Sequence, residues 1–309
     1  MKKAINQWCF PSEWSWEQVF GLAQRAGFQG LEICVDHLQF FAEIGSQKHE
    51  GLIAEIAKSC GSTLEKSKSL SFDSTPSQFK SVYRLAQDHG LGISTLLTLA
   101  QFFYRLTEPD EKIWRTAVDL VKKLLDFAVL MHAPNLLVVP GVVTSQVSYD
   151  YAYKRLEEAI WILKEDAEQK KVGLGIENVW GKILYSPLEM KRLVDTFSSK
   201  FVGVHFDVGN VVQYGYPEQW IRILGKERIF TIHLKDFTES INNIRAFTHL
   251  FQGDVPWDRV MEALREIHFE GYLVTEVPPY RSFPEETIWD ISRKMDLLIE
   301  GRYRRNPDD

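Results

Sequence analysis

Residues 173–210 read GLGIENVWGKILYSPLEMKRLVDTFSSKFVGVHFDVGN. An apolar run, Gly173 to Asn178, ends in an acid and an amide. A helical segment follows over 187–197, and a second apolar run, Val202 to Asp207, again ends in an acid. Short runs that are apolar on both sides, separated by one amphipathic helix, are the signature of parallel strands covered on both faces.

Working outward, the same unit recurs along the whole chain. Strands are expected at 4–8, 30–35, 92–97, 135–140, 173–178, 202–207, 229–234 and 272–277. Helices are expected over 15–26, 73–89, 110–131, 149–171, 187–197, 218–224, 256–268 and 285–300. Ser15 is the expected N-cap of the first helix and Gly27 its stop; the second opens at Asp73 and closes at Gly90. Eight strand–helix repeats predict a single closed (β/α)8 TIM barrel of the α/β class. The alternative is a doubly wound open sheet, which usually carries a glycine-rich phosphate loop after its first strand. Here that strand ends Trp8-Cys9-Phe10-Pro11, and no GxGxxG or Walker loop occurs.

Two segments exceed what a barrel needs. Residues 36–72 are an insertion after the second strand, with an extra helix expected over 49–59 and a polar stretch from Ser62 to Ser69. Residues 236–255 form a long loop after the seventh strand. Both follow strand C-termini, the face where barrel active sites lie. No composition shift divides the chain. Residues 1–300 are therefore read as one catalytic barrel, and 301–309 as a flexible C-terminal tail.

The 309 residues carry 36 Lys plus Arg against 42 Asp plus Glu, a formal net charge of −6. That acidic balance disfavours nucleic acid and anionic membrane surfaces as partners. No apolar run approaches the ~18 residues of a membrane helix, and the N-terminus lacks the apolar core of a signal peptide. Cys9, Cys34 and Cys60 are too few, and too irregularly spaced, for a disulfide framework. A cytoplasmic protein is expected.

The last four strands end alike. Glu177 closes the fifth, Asp207 the sixth, His233 the seventh and Glu276 the eighth. They lie 30, 26 and 43 residues apart, one βα unit at each step plus the long loop. In a barrel all four converge on one mouth. A lone carboxylate at a strand end is commonly a helix cap or ion-pair partner, and a lone histidine commonly a hydrogen-bonded core residue. Four ligand-type side chains at matching depth on consecutive strands instead form a hard, mixed set suited to one divalent ion: Mn²⁺, Zn²⁺, Co²⁺ or Mg²⁺.

Five segments carry a resemblance: Ile176-Glu177-Asn178, His205-Phe-Asp207-Val-Gly-Asn210, Ile232-His233-Leu-Lys235-Asp236, Gly253-Asp254-Val-Pro-Trp257 and Thr275-Glu276-Val277. Together they resemble the xylose isomerase-like sugar phosphate isomerase/epimerase superfamily. That group includes ketose 3-epimerases, hexulose-phosphate epimerases, hydroxypyruvate isomerase, inosose dehydratase and endonuclease IV. The D-x-G-N and HLKD segments are most similar to the hexulose- and pentulose-phosphate 3-epimerase branch.

The resemblance implies a metal-dependent sugar epimerase or isomerase. Glu177, Asp207, His233 and Glu276 would be the metal ligands, and Glu177 and Glu276 also the acid/base pair. Its substrate is a small-molecule ketose or ketose phosphate, and the family expectation is a homodimer or homotetramer. The rivals are an inosose-type dehydratase on the same site, an endonuclease IV-like nuclease and a non-catalytic sugar-binding barrel. The nuclease needs further histidines, yet the third strand ends Leu97-Thr98-Leu99.

Some ketose 3-epimerases place a histidine three residues after the metal aspartate, where this chain has Asn210. They also place an arginine shortly after the metal histidine; here that position is Glu239, and Arg245 is the nearest arginine. Substrate contacts are expected from Asn210, Arg245, Lys235 and Glu32, and from Asn6 and Trp8 at the first strand's end. Lys235 is alternatively an ion-pair partner of Glu276 or Asp207. Trp8 is read equally as a sugar-stacking or a core residue, and His205 equally as a substrate or ligand contact or as barrel filling. Phe102-Phe103-Tyr104 is read as an apolar wall or a dimer contact.

Overall fold

The computed structural model describes residues 1–35 and 69–303. Eight parallel strands close a barrel: β1 (Lys2–Asn6), β2 (Gly30–Cys34), β3 (Gly92–Leu97), β4 (Asn135–Val138), β5 (Gly173–Glu177), β6 (Val202–Asp207), β7 (Ile229–Leu234) and β10 (Tyr272–Thr275). Their order round the barrel is β1-β10-β7-β6-β5-β4-β3-β2. The chain is therefore a single TIM barrel. Alternate strand residues such as Ile5, Leu31, Ile33, Leu174, Ile176, Val204 and Ile232 belong to one continuous buried core. At the N-terminal end of the staves Tyr272 fills the space that Gly30 and Gly92 leave. A Cβ on either glycine would come within 2.8 Å and 2.7 Å of its ring and hydroxyl.

The shell consists of α1 (Trp16–Arg25), α2 (Pro76–Asp88), α3 (Glu111–Leu130), α4 (Tyr149–Lys170), α5 (Pro187–Thr196), α6 (Val208–Val212), α7 (Pro217–Leu224), α8 (Trp257–Glu266) and α9 (Pro284–Ile299). Ser15 caps α1 through a reciprocal capping box with Gln18, as the sequence predicts. The second helix starts later than Asp73: Thr75 forms the capping box with Gln78, and Pro76 takes the first helical position. The first strand sits two residues earlier than expected. After Asn6 the chain tightens into a 3-10 turn, Gln7–Cys9, because the Asn6 side chain accepts the Trp8 backbone N–H at 2.7 Å. The last strand ends at Thr275, short of Val277.

The insertion expected after β2 lies, over residues 36–68, outside the described residues, as do Cys60 and the tail from 304. The loop after β7 is ordered around a small antiparallel hairpin, β8 (Asp236–Phe237) with β9 (Phe247–Thr248). Among the described residues no helix is long and apolar enough to cross a membrane.

Candidate active site

Strand register brings the polar strand ends together. Glu177 pairs with His205, Asp207 with His233, and Asn6 with Glu32. Residues paired across parallel strands point to the same face, and those two apart on one strand share it. His205, Asp207, His233 and Glu32 therefore all enter the barrel, and all are fully buried. Glu276 follows β10 directly, its backbone N–H reaching Leu234 O at 3.3 Å.

One cluster forms at the mouth. His233 Nδ1 lies 3.6 Å from Asp207 Oδ2 and 3.4 Å from Glu276 Oε2. Lys235 Nζ lies 2.6 Å from Asp207 Oδ2 and 2.7 Å from Glu276 Oε2. Asn210 Nδ2 donates to Glu177 Oε1 at 3.3 Å, while its backbone N–H donates to Asp207 Oδ1 at 3.0 Å and starts α6. Asn178, given no role in the sequence reading, locks Asp207 in place. Its Nδ2 donates to Asp207 O at 2.8 Å, and its Oδ1 accepts from Asp207 N at 2.7 Å.

The protonation pattern is uneven. Burial, reinforced by the Asp207 carboxylate, pushes Glu177 up to about 8. Burial also penalises Glu276, but Lys235 and His233 outweigh it and hold that carboxyl well below its usual range. Burial opposes charge on His233, yet Glu32 and Glu276 raise it well above an ordinary histidine. Lys235 is likewise raised, Asp207 and Glu276 outweighing its burial. His205 is lowered well below an ordinary histidine by burial and by the neighbouring His233. Carboxyls in one site whose environments push them apart suit one acid and one base.

The donor set fits a divalent cation. Glu177, Asp207 and His233 each offer a ligand atom within 4.8 Å of the others. Buried Asp207 Oδ2 and His233 Nδ1 face each other without a well-formed hydrogen bond. His233 Nδ1 is left unsatisfied, at a cost of about 1–3 kcal/mol, and Asp207 Oδ2 is met by the Lys235 ammonium, so the site suits an ion that both atoms can bind. Glu276, 3.4 Å from His233 Nδ1, is next to that group.

Above the cluster opens a cavity of about 200 Å³. Glu177, Glu276, Asn210 and Lys235 supply its polar floor, and Trp8, Phe102, Trp180 and Phe247 much of its apolar wall. Trp180 and Phe247 are 5.0 Å apart between ring centroids, and the Lys235 ammonium sits 4.8 Å over the Phe247 ring. The hairpin that carries Phe247 hangs from Asp236. Its carboxylate accepts from the N–H groups of Phe237, Phe251 and Val255 and from Trp257 Nε1, at 2.9–3.1 Å.

Of the residues expected to meet substrate, Trp8, Asn210 and Lys235 line the cavity. Asn6, Glu32 and His205 lie buried and are not part of its lining. Arg245 is exposed and outside the lining; Asn243 caps the turn that carries it. Trp180, Phe247 and Asp236 join the site although sequence reasoning assigned them no role. Asp236, an acid two residues past the end of an apolar strand, carried the one local signal.

The sequence model of the xylose isomerase-like TIM barrel family matches residues 20–296. The chain belongs to the xylose isomerase-like TIM barrel family. It is 25% identical over 199 residues to the uncharacterized protein MJ1311 of Methanocaldococcus jannaschii, covering 62% of this chain and 64% of that protein. It is 22% identical over 312 residues to the putative L-ribulose-5-phosphate 3-epimerase SgbU of Haemophilus influenzae, covering 97% of this chain and 96% of that protein. A crystal structure of the IolI protein with a bound zinc atom superposes with a TM-score of 0.74. It covers 99% of this chain and all of that one at 17% identity, a likeness of fold.

Proposed function

We propose that this protein is a divalent-metal-dependent epimerase or isomerase acting on a ketose or ketose phosphate. The observation that supports this most is the succession of Glu276, His233, Asp207 and Glu177 on four neighbouring staves, β10, β7, β6 and β5, under one open cavity. In this reading these four side chains hold one ion, Mn²⁺, Zn²⁺, Co²⁺ or Mg²⁺. An ion held there would supply Lewis-acid polarisation of the sugar's carbonyl and hydroxyl oxygens, acidifying the hydroxyl-bearing carbon next to the carbonyl.

The chain's own residues do the rest. Glu177 and Glu276 flank the space from opposite ends of the row of staves. One carboxylate takes the proton, and the other, initially protonated, returns one to the opposite face of the planar intermediate. Asn210 holds the Glu177 carboxyl in place, and the aromatic wall excludes water from the reacting carbon. Full-length similarity to a putative pentulose-phosphate 3-epimerase agrees with this class.

The test is a panel of ketoses, ketose phosphates and keto-inositols incubated with Mn²⁺ in heavy water. An epimer or isomer carrying deuterium at the reacting carbon is expected. Turnover without exchange rejects the two-carboxylate mechanism, and loss of water without an epimer assigns a dehydratase instead. The proposal also takes residues 1–300 as one catalytic domain of a cytoplasmic homo-oligomer.

A further inference from the structure

Glu32 enters the barrel from β2, across from the row of staves that carries the cluster, and is fully buried. Its Oε1 accepts two hydrogen bonds, from Asn6 Nδ2 at 2.7 Å and from His233 Nε2 at 2.6 Å. The Asn6 carboxamide is itself held in one sense, because its Oδ1 accepts the Trp8 N–H at 2.7 Å. A carboxylate oxygen only accepts hydrogen bonds, so the His233 nitrogen facing it carries a proton. The ring's other nitrogen, Nδ1, then points at Asp207 and Glu276 with no hydrogen-bond partner of its own. The His205 ring packs edge-on against His233 at 4.1 Å and blocks rotation from the side.

We propose that Glu32, oriented by Asn6, is the positioning residue of this site. It fixes the plane of His233 and keeps a proton on Nε2, so that Nδ1 is the nitrogen that faces the ion and the one that gives up its proton to bind it. Glu32 then acts through His233 and does not touch substrate, consistent with its place below the cavity lining. The inference rests on the ligand role proposed above for His233. A ligating histidine whose remote N–H meets a carboxylate is a stronger and better-oriented donor, and loss of such a partner costs about 10–100-fold in metal affinity.

A competing assignment comes from the same residues. Glu32 Oε2 and His205 Nε2 lie 3.8 Å apart, both without hydrogen-bond partners, and with His233 they form a second group able to hold an ion. An ion there would need His233 Nε2, the atom that already donates to Glu32. The existing hydrogen bond favours the positioning role.

Zinc affinity of the full chain, measured by competition with a chromophoric chelator, tests this together with zinc content and proton–nitrogen spectra of histidine-labelled protein. The native protein is expected to bind one zinc, with a slowly exchanging His233 Nε2–H. Glu32→Gln, which keeps the shape but loses the charge, is expected to weaken zinc by at least about tenfold. Glu32→Met is expected to weaken it further and to shift or broaden the Nε2–H signal. Circular dichroism establishes that each variant is folded; if Glu32→Met is not, Glu32→Gln decides. A folded variant that binds zinc within about threefold of the native affinity overturns the proposal. So do two zincs per chain with one lost in Glu32→Gln, which makes Glu32 a ligand. His233→Ala with native zinc affinity overturns the ligand reading underneath, which separates the two failures.

Discussion

The Lys235 ammonium lies 2.6 Å from Asp207 Oδ2, in the middle of the acids that converge at the barrel mouth. It also reaches Glu276 at 2.7 Å. Without an ion, this lysine is the nearest positive charge to both carboxylates.

That placement predicts the behaviour of Lys235→Met. Removing one partner of a buried ion pair costs about 3–5 kcal/mol, because the other charge stays buried and unpaired. The metal-free variant is expected to melt well below the native protein. Added Mn²⁺ is expected to raise its melting temperature more than that of the native chain, since the ion takes over the role of the ammonium. Calorimetry with and without chelator measures both; equal shifts in the two proteins contradict the assignment.

Gly209 in the D-x-G-N segment has a steric reason. A Cβ there would lie 2.7 Å from Lys235 Cγ and 2.8 Å from Lys235 O. Gly209→Ala is expected to push the β7 end outward and to cost about 1–3 kcal/mol of stability, as overpacking does. Urea unfolding reads this directly, and an unchanged midpoint would show that the neighbouring strand yields freely.

Asp236 holds four donors with two oxygens. Asp236→Asn replaces one of those oxygens with an amide that cannot accept, leaving two donors without a partner. Each such buried donor costs about 1–3 kcal/mol. The variant is expected to unfold at lower denaturant and to be cleaved faster within residues 236–257 under limited proteolysis. Native resistance there would mean that the hairpin is secured by its aromatic packing alone.

Glu177→Gln and Glu276→Gln test the proton transfer. Each is expected to lower turnover of an accepted sugar by about 10²–10⁴-fold, the usual worth of a positioned acid or base. Each should also suppress deuterium incorporation in heavy water. Binding of the sugar with full turnover in either variant would leave a barrel whose chemistry runs through other groups.

Much of the architecture could be read locally. The strands at 92–97, 202–207 and 229–234 match the expected bounds, because each is an apolar run with sharp polar or glycine ends. The errors fall where side chains rewrite the backbone. Asn6 pulls the chain out of β1 early, and Thr75 with Pro76 starts a helix after Asp73. The short hairpin within 236–255 has almost no periodicity of its own; it exists because Asp236 gathers N–H groups from four residues spread up to 21 positions away.

The sequence by itself determined the eight-fold strand–helix rhythm and the acid, acid, histidine, acid series at the ends of the last four strands. Burial pattern is a local property of the chain, and periodicity records it. Only the tertiary structure decided how those groups face one another. Glu32 and His233 meet across 201 positions once the barrel closes. Lys235 turns to the carboxylates, and Arg245 falls outside the cavity. Those outcomes depend on closure, strand register and side-chain rotamers, all of which couple residues far apart in the chain, so no local pattern encodes them.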